Sequence, residues 1–190
     1  MNTFLIGMGI FFSIHCISII NDLWRNRMAS RLGELPWKAF YGLVALVGFY
    51  LLAKGYGEAR SAAELVYIPP GWTRHLAALL MLPVFPLLIA TYLPGRIKGW
   101  VGHPMLVATI FWAVAHLLTN GRTIDLLLFG SFLLWAIFVR ISYVRRNIRP
   151  VYGLPNNAIN DWLAVILGLG LYAMFIKSWH GLLIGVYPLG

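Results

Sequence analysis

Apolar residues run along this chain in six long blocks, and the charged and turn-forming residues collect between them. The blocks cover residues 3–20, 37–53, 75–93, 103–119, 125–143 and 162–187. An α-helix needs about 20 apolar residues to cross the hydrocarbon core of a bilayer, and each block comes near that length. In lipid a backbone N–H or C=O finds its partner only within its own segment, so helix is the expected state of each block. The pattern predicts an all-α, polytopic membrane helical bundle of about six transmembrane helices, as a single domain over residues 1–190.

Local signals agree with that reading. No Lys or Arg precedes the first block and no small-residue cleavage site ends it, so it is expected to stay as a first span. Pro104 opens the fourth span, where its missing N–H costs little. Pro83 and Pro86 fall inside the third and should kink it, freeing carbonyls near Leu79 and Leu82. Trp37, Trp72, Tyr92, Trp100, Tyr143, Trp162 and Tyr187 sit at block ends as interface anchors. Residues 21–36 alternate Leu23, Trp24, Met28 and Leu32 with Arg25, Arg27 and Arg31, the pattern of a short interfacial amphipathic helix.

Composition changes the picture mainly through charge. The chain is 60% hydrophobic and 11% charged, with a formal charge of +9. Its cations lie between apolar blocks and form no continuous face, so nucleic acid is excluded as a partner and anionic lipid headgroups are favoured. Ten of the fifteen Lys and Arg fall after spans one, three and five: Arg25, Arg27, Arg31, Lys38, Arg96, Lys98, Arg140, Arg145, Arg146 and Arg149. That excess marks the cytoplasmic side. Both termini are then expected outside, in the periplasm of a bacterial inner-membrane protein. The lone cysteine, Cys16, excludes an intramolecular disulfide.

Ionisable groups in hydrocarbon are expensive and need a reason. None of the six carboxylates lies well inside a span, which argues against a carboxylate-bridged metal pair. The histidines behave differently. His15 stands 12 residues into the first span and His116 stands 13 residues after His103. At 1.5 Å per residue both fall roughly 18–20 Å along their helices, near the membrane midplane. His75, His103 and His180 fall at span ends, where solvent or headgroups receive them. Two neutral imidazoles make a poor zinc site, which wants three or four protein ligands. A porphyrin brings four equatorial nitrogens and needs only axial ligands, so His15 and His116 are candidate metal ligands for haem b. Hydrogen bonding to a neighbouring helix is the plain alternative. Arg74 and Arg122, on the outer side, are candidate partners for haem propionates, with headgroup contact as the alternative.

Several stretches resemble the NnrU family of bacterial membrane proteins. They are R-L-G-E-L-P-W-K-A-F-Y-G-L at 31–43, R-H-L-A-A-L-L-M-L-P at 74–83, R-I-K-G-W-V-G-H-P-M-L at 96–106, W-A-V-A-H-L-L-T-N-G at 112–121 and L-L-L-F-G-S-F-L-L-W-A at 126–136. The likeness is clear to about Ser142 and weaker in the last span. It implies a link to denitrification and nitric oxide metabolism. It also implies kinship with 15-cis-zeta-carotene isomerase, which isomerises a lipophilic polyene with a b haem held by two histidines; His15 and His116 resemble those ligands. That enzyme has a cysteine three residues before its second histidine, where this chain has Ala113. A non-catalytic accessory protein with structural histidines is the rival reading. A fainter likeness to membrane methyltransferases of the isoprenylcysteine type rests on Gly102-His103-Pro104 alone.

Overall fold

The computed structural model describes residues 1–145, 151 and 153–189. Among them the regular structure is helical. Five stretches are long and apolar enough to cross a bilayer: Asn2–Ile20, Glu34–Ala59, Thr73–Tyr92, Thr123–Ser142 and Ile159–Ile184. A sixth, Pro104–Thr119, is apolar but only 16 residues long. Leu46, Leu79 and Ile166 are each more than 60% exposed on these helices, a surface that suits lipid and not water. Of the cations expected on the cytoplasmic side, Arg146 and Arg149 lie outside the described residues. The chain divides into two compact units, residues 1–64 with 122–124, and 65–121 with 125 onward.

The first unit is built on α1 (Asn2–Ile20), α2 (Asp22–Leu32) and α3 (Glu34–Ala59). Between α1 and α2 the chain turns at Asn21, whose side-chain oxygen accepts the Trp24 N–H at 2.9 Å, an ordinary N-cap. Helix α2 falls within residues 21–36, where the alternation of apolar residues and arginine predicts a short helix. Gly33, at φ +90°, makes the next turn, a conformation L side chains rarely adopt. Helices α1 and α3 then pack antiparallel through glycine. A Cβ on Gly7 would strike the Leu52 backbone, one on Gly48 the Phe11 backbone, and one on Gly55 the Phe4 backbone. Lipid supplies no hydrophobic drive to join two helices, so close backbone approach through small residues does it instead.

The second unit holds α4 (Thr73–Met81), α5 (Val84–Tyr92), α6 (Arg96–Val101), α7 (Pro104–Thr119), the body of α8 (Thr123–Ser142), α9 (Ile159–Met174), a π-helical segment (Phe175–Trp179) and α10 (His180–Ile184). Its core joins Val84, Leu87 and Ala108 with Phe111 and Trp112. The expected kink is a full break at Leu82 and Pro83, and its backbone groups can be followed one by one. Pro83 has no N–H for the Leu79 carbonyl. The Leu82 N–H takes that carbonyl at 3.3 Å. Leu82 thereby gives up the helical bond to Ala78, whose carbonyl instead accepts the Tyr172 hydroxyl of α9 at 2.9 Å. Pro86 falls in the first turn of α5, where no internal partner is lost. Its backbone abuts Gly168 of α9, where a Cβ has no room. At the far end of α5, the Asp161 carboxylate accepts the N–H groups of Arg96 and Ile97 at 2.9 and 3.0 Å, capping α6. Asn160 donates to the carbonyls of Pro94 and Pro155 at 2.8 and 3.0 Å.

Two outcomes follow from these contacts. Gly55→Leu should force α1 from α3 and lower stability by about 1–3 kcal/mol, read as an earlier thermal transition in detergent. Gly57→Leu, with nothing within 4 Å of its Cβ position, should leave the transition in place. Tyr172→Phe should cost about 1–3 kcal/mol by stranding the Ala78 carbonyl. In a Pro83→Ala background the Leu82 N–H can return to Ala78, so the cost of Tyr172→Phe should shrink. An equal cost in both backgrounds would break the link between proline and tyrosine.

Candidate functional site

Each of the two histidines that depth selected is held the same way within its own unit. His15 Nδ1 lies 2.7 Å from the Phe11 carbonyl, and His116 Nδ1 lies 2.8 Å from the Trp112 carbonyl. In both cases the acceptor is four residues back on the same helix, one turn away. A carbonyl oxygen only accepts, so Nδ1 carries the proton and a neutral ring has its lone pair on Nε2. This is how proteins commonly orient a ligand histidine, with one nitrogen fixed and the other presented.

Aromatic rings complete both settings. In the first unit His15 stacks on Phe11 with centroids 4.0 Å apart and planes at 24°. Tyr41 of α3 meets the imidazole edge-on at 5.4 Å. In the second unit His116 stacks on Phe129 of α8 at 4.5 Å and 26°, with Trp112 at 5.1 Å. Trp112 in turn meets Phe129 and Phe132 edge-to-face at 5.0 and 5.4 Å. Ala113, where the resemblance would have a cysteine, is fully buried.

The helix carrying His116 is closed off just beyond it. It ends at Thr119, so His116 stands in its last turn and not at its middle. Asn120 is extended and donates both its N–H and its side-chain amide to the His116 carbonyl, each at 2.9 Å. Tyr67 reaches in from the preceding loop. Its hydroxyl donates to the carbonyls of Leu117 and Asn120, two of the orphan acceptors at a helix C-terminus. Burial first, and the nearby Asp125 carboxylate second, push the Tyr67 hydroxyl above its ordinary pKa, which keeps it a donor. Gly121 has no room for a side chain because the Tyr67 backbone lies against it. Asp125 is 1% exposed, in the first turn of α8.

The remaining expected residues are placed less centrally. Arg122 belongs to the first unit and donates to the Ala63 carbonyl at 2.8 Å and the Ser61 carbonyl at 3.5 Å, holding a loop. Arg74 is exposed in the first turn of α4, a few residues past Tyr67. His103 stacks on Tyr143 at 4.2 Å, and His75 is exposed. His180 departs from expectation. It is half-buried, and its ring centroid lies 6.4 Å from that of His116 with planes at 26°. Nothing in the spacing signalled this, because a π segment resets the helix just before it. Among the described residues no group of three or more His, Cys, Asp or Glu is arranged to hold a bare metal ion.

No curated protein and no solved structure matches this chain. A family model described as NnrU protein matches residues 3–188, which carries the likeness past Ser142 through the last span. With nearly the whole chain matched, this membrane protein belongs to the NnrU family.

Proposed function

We propose that this protein binds haem b, which His15 and His116 would hold, and serves nitric oxide- or nitrite-linked metabolism or the isomerisation of a lipophilic polyene. The observation that carries the reading is the shared anchoring of the two imidazoles. Each Nδ1 is fixed to a carbonyl one turn back, and each ring is braced by an aromatic side chain. The donor set fits the group. Neutral imidazoles without a clustered carboxylate or thiolate leave a bare cation short of ligands, whereas haem needs axial nitrogens only. When bound, haem supplies the redox-active iron.

The chain's own residues then orient and seal. Phe129 and Trp112 wall the His116 imidazole with apolar surface, and Phe132 backs Trp112, which excludes water and raises the strength of each polar contact there. Tyr67 and Asn120 fix the last turn of α7, and with it the direction of the His116 ring. Arg74 is the better propionate partner of the two arginines, since Arg122 is spent on loop carbonyls.

Purified protein from haem-sufficient cells should show a Soret band and split visible bands on reduction. His116→Ala should remove most of the bound haem, and His15→Ala should alter the spectrum. Colourless wild-type protein would favour an accessory role with structural histidines. Topology is a separate outcome. With ten of the fifteen cations falling after spans one, three and five, reporters fused to either terminus should be active only outside the cytoplasm. A cytoplasmic signal from either end would reverse or break the predicted orientation.

A further inference from the structure

The π segment that sets His180 beside His116 also shapes the surface of the second unit. In a π turn each N–H reaches back five residues, so one turn closes over more residues than in an α-helix. Neighbouring side chains are then separated by a smaller angle. Across Phe175–Trp179 three consecutive residues, Lys177, Ser178 and Trp179, line one open concavity of about 300 Å³ together with Ala173 and Met174. Ammonium, hydroxyl and indole are all donors. Among the described residues none of the three side chains has a hydrogen-bond or ion-pair partner. Lys177 follows Ile159 by 18 residues, about 27 Å along the span. That is the far boundary of a hydrocarbon core about 30 Å thick, the depth at which cations meet lipid phosphates.

A second concavity, of about 390 Å³, adjoins the first at Met174, which lines both. Its other walls are Ile89 of α5 and Ile166, Leu167, Gly170 and Leu171 of α9, so it is apolar throughout. Gly170 keeps it open, since a Cβ there would have nothing within 4 Å. From Ile166 to Met174 the groove runs about 12 Å along the helix, close to the roughly 15 Å hydrocarbon depth of one leaflet. Three donors at headgroup depth beside an apolar groove one leaflet long match the outline of a single lipid. Charge narrows the choice. A zwitterionic headgroup brings an ammonium with its phosphate, and no carboxylate lines either concavity to receive it. A lipid of net negative charge brings phosphate to Lys177 with no cation of its own.

We propose that these two concavities form a seat for one anionic phospholipid, its phosphate on Lys177, Ser178 and Trp179 and one acyl chain along Gly170 between α5 and α9. It is a single seat of fixed place, distinct from the diffuse attraction between juxtamembrane cations and the bilayer surface. The inference does not depend on haem.

The test uses the full chain in detergent with dioleoylphosphatidylglycerol or dioleoylphosphatidylcholine added, bound lipids being counted by native mass spectrometry. Wild-type protein should retain one phosphatidylglycerol about tenfold more strongly than phosphatidylcholine, the effect of one charge-assisted hydrogen bond. Lys177→Gln should erase that preference, and Lys177→Arg should keep it. Lys54→Gln removes an equal charge, one paired with Glu58 in the first unit, and should change nothing. Gly170→Leu should fill the groove and cut phosphatidylglycerol retention to the phosphatidylcholine level, with the thermal transition in place. The Lys177 variants carry the test if Gly170→Leu does not fold. Inorganic phosphate at the lipid's concentration should not compete, and competition would overturn the lipid in favour of a free-anion site. Equal retention of the two lipids by wild-type protein, or an undiminished preference in Lys177→Gln or in folded Gly170→Leu, overturns the proposal.

Discussion

Hydrocarbon offers the backbone no hydrogen-bond partner, and the helix breaks at Pro83, after Thr119 and before Arg96 are organised around that fact. A helix can stop in lipid only where something else takes the groups it abandons. The break at Pro83 shows the rule at work. The proline removes one donor, Leu82 moves back one residue to replace it, and the vacancy passes to Ala78, where the Tyr172 hydroxyl fills it. At the end of α7 the Tyr67 hydroxyl does the same for Leu117 and Asn120. At the start of α6 the Asp161 carboxylate takes two N–H groups that have no helical acceptor. Two tyrosines and one aspartate, each far in sequence from what it serves, therefore set where the second unit's helices begin and end.

The same constraint explains how the histidines are held. Metal-ligating histidines are often oriented by a carboxylate, but a carboxylate within a span carries a large desolvation cost. A carbonyl already engaged in its own helix has a second lone pair to give. Using the carbonyl four residues back fixes the imidazole without placing a new charge in lipid. With Nδ1 so engaged, the lone pair that a neutral ring has available for chemistry is on Nε2. Phe11 and Trp112, at the residues whose carbonyls are used, brace the rings they anchor. One residue type at i−4 thus supplies both the hydrogen bond and the packing.

Much of this was legible in the chain. The spans follow from block length, the short helix α2 from Leu and Arg alternation between 21 and 36, and the break from Pro83. The end of α7 follows from the apolar block that closes at residue 119. Depth picked out His15 and His116 because polar groups are rare in apolar runs. What stayed hidden was long-range or register-dependent. Tyr172 stands 94 residues from the carbonyl it satisfies, and periodicity carries no trace of such a pair. Midplane depth for His116 presumed a full-length span, and a 16-residue helix put it in the last turn instead. The close packing of α1 on α3 needs Gly7, Gly48 and Gly55 on facing sides, which is readable only once the antiparallel register is known.

His180 was the largest omission, and its cause is physical. Counting 3.6 residues per turn from Ile159 assumes an unbroken ladder, and the ladder is broken at Phe175–Trp179. Nothing in Phe-Ile-Lys-Ser-Trp lacks an N–H or forbids a regular helix, so local chemistry does not ask for a π turn. A π turn of this kind is frequent at functional sites, and its surroundings hold it in place. Here the surroundings are identifiable. Gly185 reverses the chain, the Val186 carbonyl pins Nδ1, and the ring of His116 stands 6.4 Å away. A regular helix over the same residues would turn His180 about 100° away from that ring. The π register and the imidazole pair are therefore one feature, and a reason for either has to account for both.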